Sequence, residues 1–415
     1  RAHTCRRDAA PAELLAGVLR NMGFDVIVAS IRMFTNCLIT WRPDAVIIFT
    51  PSVAPKIRAI LPKVKIIFSE GECLMVNPSD RSDYFRENRK IYDSIDLIQM
   101  CGEAQRIPFL EWAGDSAENK IKIVGNLKLD LARFLPEKLK TSKKSNSIGV
   151  VGRFHTLNHY EADPAFLHIV TEASVDYMIN NVKSFLGTFQ SIEAILKETD
   201  LTISIRPHPL EAMDSYNDLL SRHFSPDERK RIEVDRSIDF PSWAAKQKAL
   251  ISPTSASFLE ASVLGVPVIN LDKICDVDKY NRDHAQAAEE WQNGAILPKN
   301  IDELCSLLVK NISLSNMSES IVVQLNEQSD FNCKQASVLR ISHQIVDLLY
   351  QDKNRVLFGL PKWLVLLRDE VSFKRIMKRN PLHANFNYKS GYHPIPEHFK
   401  PMIDTILKDD SLENK

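Results

Sequence analysis

Two short segments carry the residues best suited to chemistry. The first is Ile205-Arg206-Pro207-His208-Pro209. A histidine ring N–H can hydrogen-bond a phosphate oxygen and stabilise the charge that builds on a departing phosphate. The flanking prolines restrict the backbone on both sides of His208 and hold the loop extended. Arg206 adds fixed positive charge, provided that strand alternation does not turn it away. The second segment is Ile251-Ser252-Pro253-Thr254-Ser255-Ala256-Ser257-Phe258-Leu259-Glu260-Ala261. Ser252, Thr254, Ser255 and Ser257 surround an expected helix start, where backbone N–H groups and the helix dipole attract phosphate. Glu260, about one turn in, is placed to accept hydrogen bonds from ribose hydroxyls. Ordinary N-capping explains one such hydroxyl, not four. Both segments follow apolar, strand-like runs. In open α/β sheets ligands bind outside the carboxyl ends of strands, so the two loops can face one crevice. The chemistry expected of them is nucleotide-sugar binding.

Other polar clusters follow strand-like runs in the same way. In Ser69-Glu70-Gly71-Glu72-Cys73, Glu70 or Glu72 is a candidate general base or acceptor-binding carboxylate, and a solvated acidic turn is the plainer alternative. In Gly152-Arg153-Phe154-His155-Thr156-Leu157-Asn158-His159, the residues Arg153, Asn158 and His159 are candidates for an anionic sugar or phosphate. The two histidines are four apart, which suits a metal on a helix, but a loop is expected here and no metal is assigned. Asp176 opens a long helix. It is either a carboxylate nucleophile for a glycosyl-enzyme intermediate or a first-turn acid favoured by the helix dipole. Gly125-Asn126 reads as a turn between domains, and Asn281-Arg282-Asp283-His284 as a surface loop.

The elements that must position these residues alternate. Helical periodicity covers residues 11–22 and stops at Gly23. Residues 24–30 read as a strand, as do 45–49, 65–68, 97–100 and 121–124. After a polar Lys- and Ser-rich stretch at 138–147, the best linker candidate, strands are expected at 148–151, 201–205, 232–234, 249–251 and 266–271. Long helices are expected at 176–198 and 332–350, and a shorter one at 257–264. Continuous apolar runs of four or five residues are typical of buried parallel strands, and repeated βα units imply doubly wound sheets. The expected class is α/β of the GT-B type, two Rossmann-like domains facing a cleft. The boundaries expected are 1–140 for an acceptor-side domain, 148–330 for a nucleotide-sugar-binding domain, and 331–415 for C-terminal helices and a tail that packs back on the first domain. Basic and apolar residues mix at 361–379, and 381–401 is rich in His, Tyr and Pro. Membrane-surface contact by this tail is the alternative to packing.

Bulk composition bounds the function. A chain of 415 residues suits two domains better than one. Lys+Arg and Asp+Glu both total 53, which argues against a general nucleic-acid binder. The seven cysteines form no CxxC pair and their number is odd, as expected of reduced thiols without structural zinc. No apolar run approaches the ~20 residues that span a bilayer, and no leader stands out. A cytoplasmic protein is expected, peripheral at the inner membrane if the tail touches it.

The succession of Arg42-Pro43-Asp44-Ala45-Val46-Ile47, Lys122-Ile123-Val124-Gly125-Asn126-Leu127-Lys128-Leu129-Asp130, Arg206-Pro207-His208-Pro209 and Ser252 to Pro267 resembles bacterial surface-polysaccharide (capsule-type) biosynthesis glycosyltransferases, the retaining β-Kdo transferases among them. The likeness spans roughly residues 10–350. It implies a GT-B fold and a CMP-activated acidic sugar, CMP-Kdo first, as donor. It places the CMP phosphate on His208 and Pro209, and implies a carboxylate nucleophile, with Asp176 first and Glu70 next. It requires no metal or other cofactor, and implies a glycan acceptor lying against the first domain, with a lipid-linked acceptor as one option. Two departures stand against it: the Gly-rich phosphate loop of some GT-B enzymes is missing, with only 13 Gly in the chain, and the acidic motif at Glu70 matches no sharp signature. UDP-N-acetylglucosamine 2-epimerases and polyglycerolphosphate transferases share the Ser-rich loop, the Glu-Ala helix and Gly-x-Pro-Val. A UDP-sugar transferase or 2-epimerase is therefore the enzymatic rival, and a non-catalytic GT-B scaffold is the rival of another class.

Overall fold

The computed structural model describes residues 5–29, 34–71, 89–140, 146–159, 175–212, 214–235, 237, 239–253, 255–277, 295–309, 319–350 and 397–413. In chain order the elements used below are α1 (Cys5–Asn21), α2 (Phe34–Trp41), β1 (Ala45–Ile48), β2 (Lys65–Ser69), β3 (Leu97–Met100), β4 (Ile121–Ile123), α3 (Leu127–Arg133), β5 (Ser147–Val151), α4 (Val175–Glu198), β6 (Thr202–Arg206), α5 (Ser215–His223), β7 (Ile232–Val234), α6 (Phe240–Ala244), β8 (Ala249–Ser252), α7 (Ser257–Val263), β9 (Val268–Asn270), α8 (Ile301–Val309), α9 (Ser337–Tyr350) and α10 (Phe399–Glu413). The chain divides into two compact units, residues 1–136 with 325–415, and residues 137–324. Each holds one all-parallel sheet with helices, so the chain is α/β with two Rossmann-like units.

The sheet of the first unit runs β1-β2-β3-β4. Strand alternation sends Val46, Ile48, Ile66, Phe68, Ile98 and Met100 to one apolar layer, with Phe34 of α2, Ile57, Tyr92 and Phe109. Ile67 and Leu97 point the other way, into a layer built by α1, α3, α9 and α10 through Leu14, Val18, Leu131, Leu339, Ile341, Phe399 and Ile403. Both faces are covered, as parallel sheets require.

Several expectations change here. α1 begins at Cys5, six residues before Pro11, which lies inside the helix rather than opening it. Its end is as expected. Gly23 takes φ +92° and the Phe24 N–H reaches the Leu19 carbonyl at 3.0 Å, a Gly-terminated C-cap. Residues 24–29 form no strand. They line a cavity of about 370 Å³ together with α1, α2, α9 and the edge strand β1, and pair with no described strand. Gly125-Asn126 lies within the first unit, not between units. Gly125 has φ +80°, and a Cβ there would come within 2.3 Å of Ser337 Oγ, so the turn exists to let α9 approach. Asn126 caps α3 by accepting from the Lys128 N–H at 2.8 Å. α9 starts at Ser337 rather than 332, and residues 399–401, expected to be irregular, open α10. The basic-apolar stretch 361–379 and the loop 281–284 lie outside the described residues. No helix among the described residues is long and apolar enough to cross a membrane.

The second sheet runs β7-β6-β5-β8-β9. One face, including Ile148, Val150, Ile203, Ile205, Ile251 and Ile269, packs on α4, α5 and α8. The other, including Val151, Leu250 and Val268, packs on Trp243 of α6 and on Phe258 and Ala261 of α7. Each fully buried aliphatic of this kind contributes about 1.5–3 kcal/mol.

Candidate functional site

The second unit contains a topological switch. The chain leaves β5 for β6 and β7 on one side, then returns to β8 and β9 on the other. The strand order reverses between β5 and β8, and ligands of open α/β sheets bind in the crevice outside the strands at that point. The loops that follow β5, β6 and β8 are those carrying Arg153, His208 and the serines.

The loops after β5 and β6 are laced together by a residue that the sequence did not advertise, Glu211. Its side chain is fully buried. Oε1 accepts the backbone N–H of Phe154 at 2.9 Å and that of His208 at 2.8 Å, and Oε2 accepts the hydroxyl of Tyr216. The Glu211 N–H returns to the His208 carbonyl at 2.9 Å and closes a tight turn through Pro209. His159 pairs with Glu211 in an isolated bridge, and the Ala212 N–H donates to the Asn158 carbonyl at 2.9 Å. The Asn158 side-chain amide donates to the Ala212 carbonyl at 3.0 Å and its oxygen accepts from the Ser215 hydroxyl. Asn158 and His159 are therefore parts of the lacing between the two loops. Gly152 is needed for it, because a Cβ would lie 2.9 Å from Glu211 Oε1 and 3.0 Å from Pro207 Cα.

His208 is half-buried. Its Nδ1 accepts the Leu210 N–H at 3.2 Å. In the neutral ring that leaves the proton on Nε2, so Nε2 is a donor. The ring of His155 lies against it, centroids 4.5 Å apart and planes tilted by 31°. Two imidazoles stacked in this way can present donors to one anion.

Arg206 is turned elsewhere. It ends β6, is buried, and pairs with Asp235, with a 2.9 Å hydrogen bond to the Ser237 hydroxyl. Its guanidinium lies over the rings of Phe240 and Trp243, at 5.7 and 5.6 Å. Burial lowers its pKa, and the charges of Asp235, Asp239 and Glu260 act in the opposite direction. The half-buried Glu260 of α7 thus belongs electrostatically to the Arg206 cluster.

The Ser loop divides. Ser252 is fully buried, and its hydroxyl donates to the Val151 carbonyl at 2.9 Å, joining β8 to β5. The Ser255 hydroxyl accepts the Ser257 N–H at 3.3 Å, a local turn bond. Ser257 is the first residue of α7 and is half-buried. Thr254 lies outside the described residues.

A niche of about 30 Å³ sits at the switch point itself, between Arg153 after β5 and Pro253 after β8. Its back wall is Tyr177, Asn180, Asn181 and Ser184 of α4. These four follow the i, i+3, i+4, i+7 spacing of one helix face, a polar stripe readable in the sequence and passed over there. Asn180 is buried, and the Asn181 amide donates to the Tyr177 carbonyl at 2.8 Å. Asp176 is exposed in the first turn of α4 and stands one position off this face. The niche holds one water-sized group, whereas a whole small-molecule ligand needs a few hundred Å³.

Glu70 is in the other unit. It follows β2, half-buried, with its N–H on the Gln99 carbonyl at 2.8 Å and its own carbonyl accepting from the Cys101 thiol at 3.4 Å. Glu72 lies outside the described residues. The larger cavity of this unit is lined mainly by aliphatic and aromatic side chains and does not gather the polar groups a nucleotide needs. Among the described residues no group of three His, Cys, Asp or Glu side chains is placed to hold a metal ion.

No family model matches the chain, and no curated protein matches it. Solved structures resemble it loosely. The UDP-GlcNAc 2-epimerase of Methanocaldococcus jannaschii, in complex with UDP-GlcNAc and UDP, is 15% identical, with a TM-score of 0.45 over 83% of this chain and 82% of that one. MnaA of S. aureus, in a co-structure with UDP, is 16% identical, with a TM-score of 0.44 over 84% and 82%. The wall teichoic acid polymerase TagF is 14% identical, with a TM-score of 0.41 over 70% and 69%.

Proposed function

We propose that the second unit binds a nucleotide-sugar at the β5/β8 switch point and that the chain is a glycosyltransferase. The observation that carries this reading is the stacking of His208 on His155, with Arg153 two residues before His155 in the same loop. They stand on loops after β5 and β6, and Arg153 shares the switch-point niche with the loop after β8. Three groups able to donate hydrogen bonds to an anion, next to a switch point, suit a phosphate that must be held and then released.

In this reading His208 Nε2–H donates to the phosphate next to the sugar and stabilises it as it leaves. His155 and Arg153 add donors. The polar face of α4, from Tyr177 to Ser184, faces the sugar or the base. Arg206 holds the β6 end in place through Asp235. The carboxylate that acts at the anomeric carbon is Asp176 or Glu70. The donor proposed first is CMP-Kdo and the acceptor a bacterial surface glycan, both resting on the resemblance set out above. A cytoplasmic protein working at the inner membrane belongs to the same proposal.

The test is a thermal-shift and calorimetric panel of CMP, UDP, GDP and CDP on the wild type and on His208→Ala. A ligand that binds the native state at 100 times its Kd stabilises by about 2.7 kcal/mol. The expected result is a shift with CMP that His208→Ala weakens, followed by consumption of CMP-Kdo in the presence of acceptor. A shift with UDP instead moves the reading to a UDP-sugar transferase or 2-epimerase. No shift with any of the four removes the nucleotide-sugar reading and leaves a non-catalytic scaffold.

A further inference from the structure

Glu211 has no place in the chemistry described so far, yet its buried carboxylate accepts three hydrogen bonds that tie together the loops after β5 and β6. We propose that Glu211 is the positioning residue of the site. Its carboxylate sets the register of the two loops so that His208 carries its proton on Nε2 beside His155. The proposal rests on the nucleotide-sugar reading for its purpose, but not for its geometry.

The argument starts from one buried carboxylate. An ionised carboxylate needs several donors to be held away from water. Glu211 has the N–H of Phe154, the N–H of His208 and the hydroxyl of Tyr216. The first two belong to different loops and meet the same oxygen. Sliding either loop along its strand breaks one of two charge-assisted hydrogen bonds. The turn closed by the Glu211 N–H on the His208 carbonyl then fixes the ring's own backbone. Within that turn the Leu210 N–H reaches His208 Nδ1 and selects the tautomer. Gly152 leaves room for the carboxylate, since any Cβ would press on Glu211 Oε1 and Pro207 Cα. A residue with only a packing role needs none of these connections to a single imidazole.

The experiment is histidine-selective ¹⁵N NMR on the full chain, with the His208 signals identified by their loss in His208→Gln, together with CMP and UDP titrations. Glu211→Gln keeps a carbonyl oxygen for both N–H groups, and Glu211→Ala removes it. The expected result is the Nε2–H tautomer of His208 in the wild type and in Glu211→Gln, and a mixture of tautomers in Glu211→Ala. The Kd for the nucleotide that the wild type binds should stay within about threefold in Glu211→Gln and weaken by at least about tenfold in Glu211→Ala, a tenfold loss being ~1.4 kcal/mol. Glu211→Asp, which keeps the charge and withdraws the carboxylate by one methylene, should disturb the His208 signals in the same direction, and it decides the matter if Glu211→Ala does not fold. A folded Glu211→Ala with the wild-type His208 tautomer and shifts overturns the proposal, as does an undisturbed His208 in Glu211→Asp. If the wild type binds neither nucleotide, the nucleotide-sugar reading falls, and the NMR arm still decides the positioning role.

Discussion

Asp130 offers the sharpest test of how the first unit is held together. It lies in α3, fully buried, and its Oδ2 accepts the N–H of Val338 at 2.7 Å. A side chain from position 130 thus caps the first turn of α9, more than 200 residues later in the chain. Burial raises its pKa from 3.8 to about 6, against the lowering effect of the Val338 and Ser337 N–H groups and the charges of Arg133 and Arg340. The folded state therefore holds a proton that the unfolded state has already released. The stability this proton contributes is complete below pH 3.8, falls as the pH rises, and is gone above about pH 6. At ~1.4 kcal/mol per pH unit the whole swing is about 3 kcal/mol. Asp130→Asn keeps an oxygen for the Val338 N–H and cannot ionise. The stability of Asp130→Asn relative to the wild type should rise by about 2–3 kcal/mol between pH 4 and pH 8. Hydrogen exchange of the amides of residues 337–350, corrected for intrinsic rates, reads this locally and without assuming two-state unfolding of a two-unit chain. Other titrating groups cancel in the difference. A difference that stays flat within about 0.5 kcal/mol across that range would refute the reasoning, because the carboxylate would then ionise in place without penalty.

Three further outcomes follow from contacts of the same kind. Gly125→Ala should destabilise the first unit by about 2 kcal/mol or more, since it combines a positive φ with a Cβ at 2.3 Å from Ser337 Oγ, and the melting temperature reads it. Arg206→Leu should cost about 3–5 kcal/mol in urea unfolding by leaving Asp235 without its cation, while Lys197→Ala, whose ion pair with Glu193 is on the surface, should leave the urea midpoint nearly unchanged. Ser252→Ala should lose about 1 kcal/mol by breaking the bond to the Val151 carbonyl, and a nucleotide titration should show an unchanged Kd, because that hydroxyl is turned into the sheet.

Most of the nine described strands were legible because buried parallel strands are apolar runs that stand out whatever they later pair with; the edge strands β4 (Ile121–Ile123) and β7 (Ile232–Val234) instead show apolar-polar alternation through Lys122 and Glu233. The long helix 175–198 was legible for the same local reason. Residues 24–29 have the same apolar character and still form no strand, because hydropathy records burial and not backbone pairing; they line a cavity with the edge strand β1 without joining its ladder. Gly125-Asn126 looked like a domain junction because its reason for being there, the approach of Ser337 and Arg340, is some 200 residues away. The start of α9 at 337 was missed on the same account, since Asp130 supplies a hydrogen bond to its first turn. In the candidate site, His208 was visible as a histidine between prolines. Glu211 was not, because a glutamate in Leu210-Glu211-Ala212 looks like any surface loop until its carboxylate is seen to meet two backbone N–H groups from different loops. The polar face of α4 was there to be read in the spacing of Tyr177, Asn180, Asn181 and Ser184. Arg206 shows the opposite error, a cation chosen for its type whose charge answers Asp235.

The first unit is written in two instalments, residues 1–136 and 325–415, and this sets the order of events on the ribosome. Roughly 190 residues separate the instalments. At ~5–20 residues per second, translation takes roughly 10–40 s to cross them. Through that interval Leu14, Leu15, Val18 and Leu19 of α1 have none of the partners that α9 and α10 will bring. The second unit is continuous, so it can finish its sheet while the first still waits with an uncovered apolar layer. Early termination within the second unit would release a chain whose first sheet lacks α9 and α10 on one face, leaving apolar surface of the kind that chaperones hold and that otherwise aggregates.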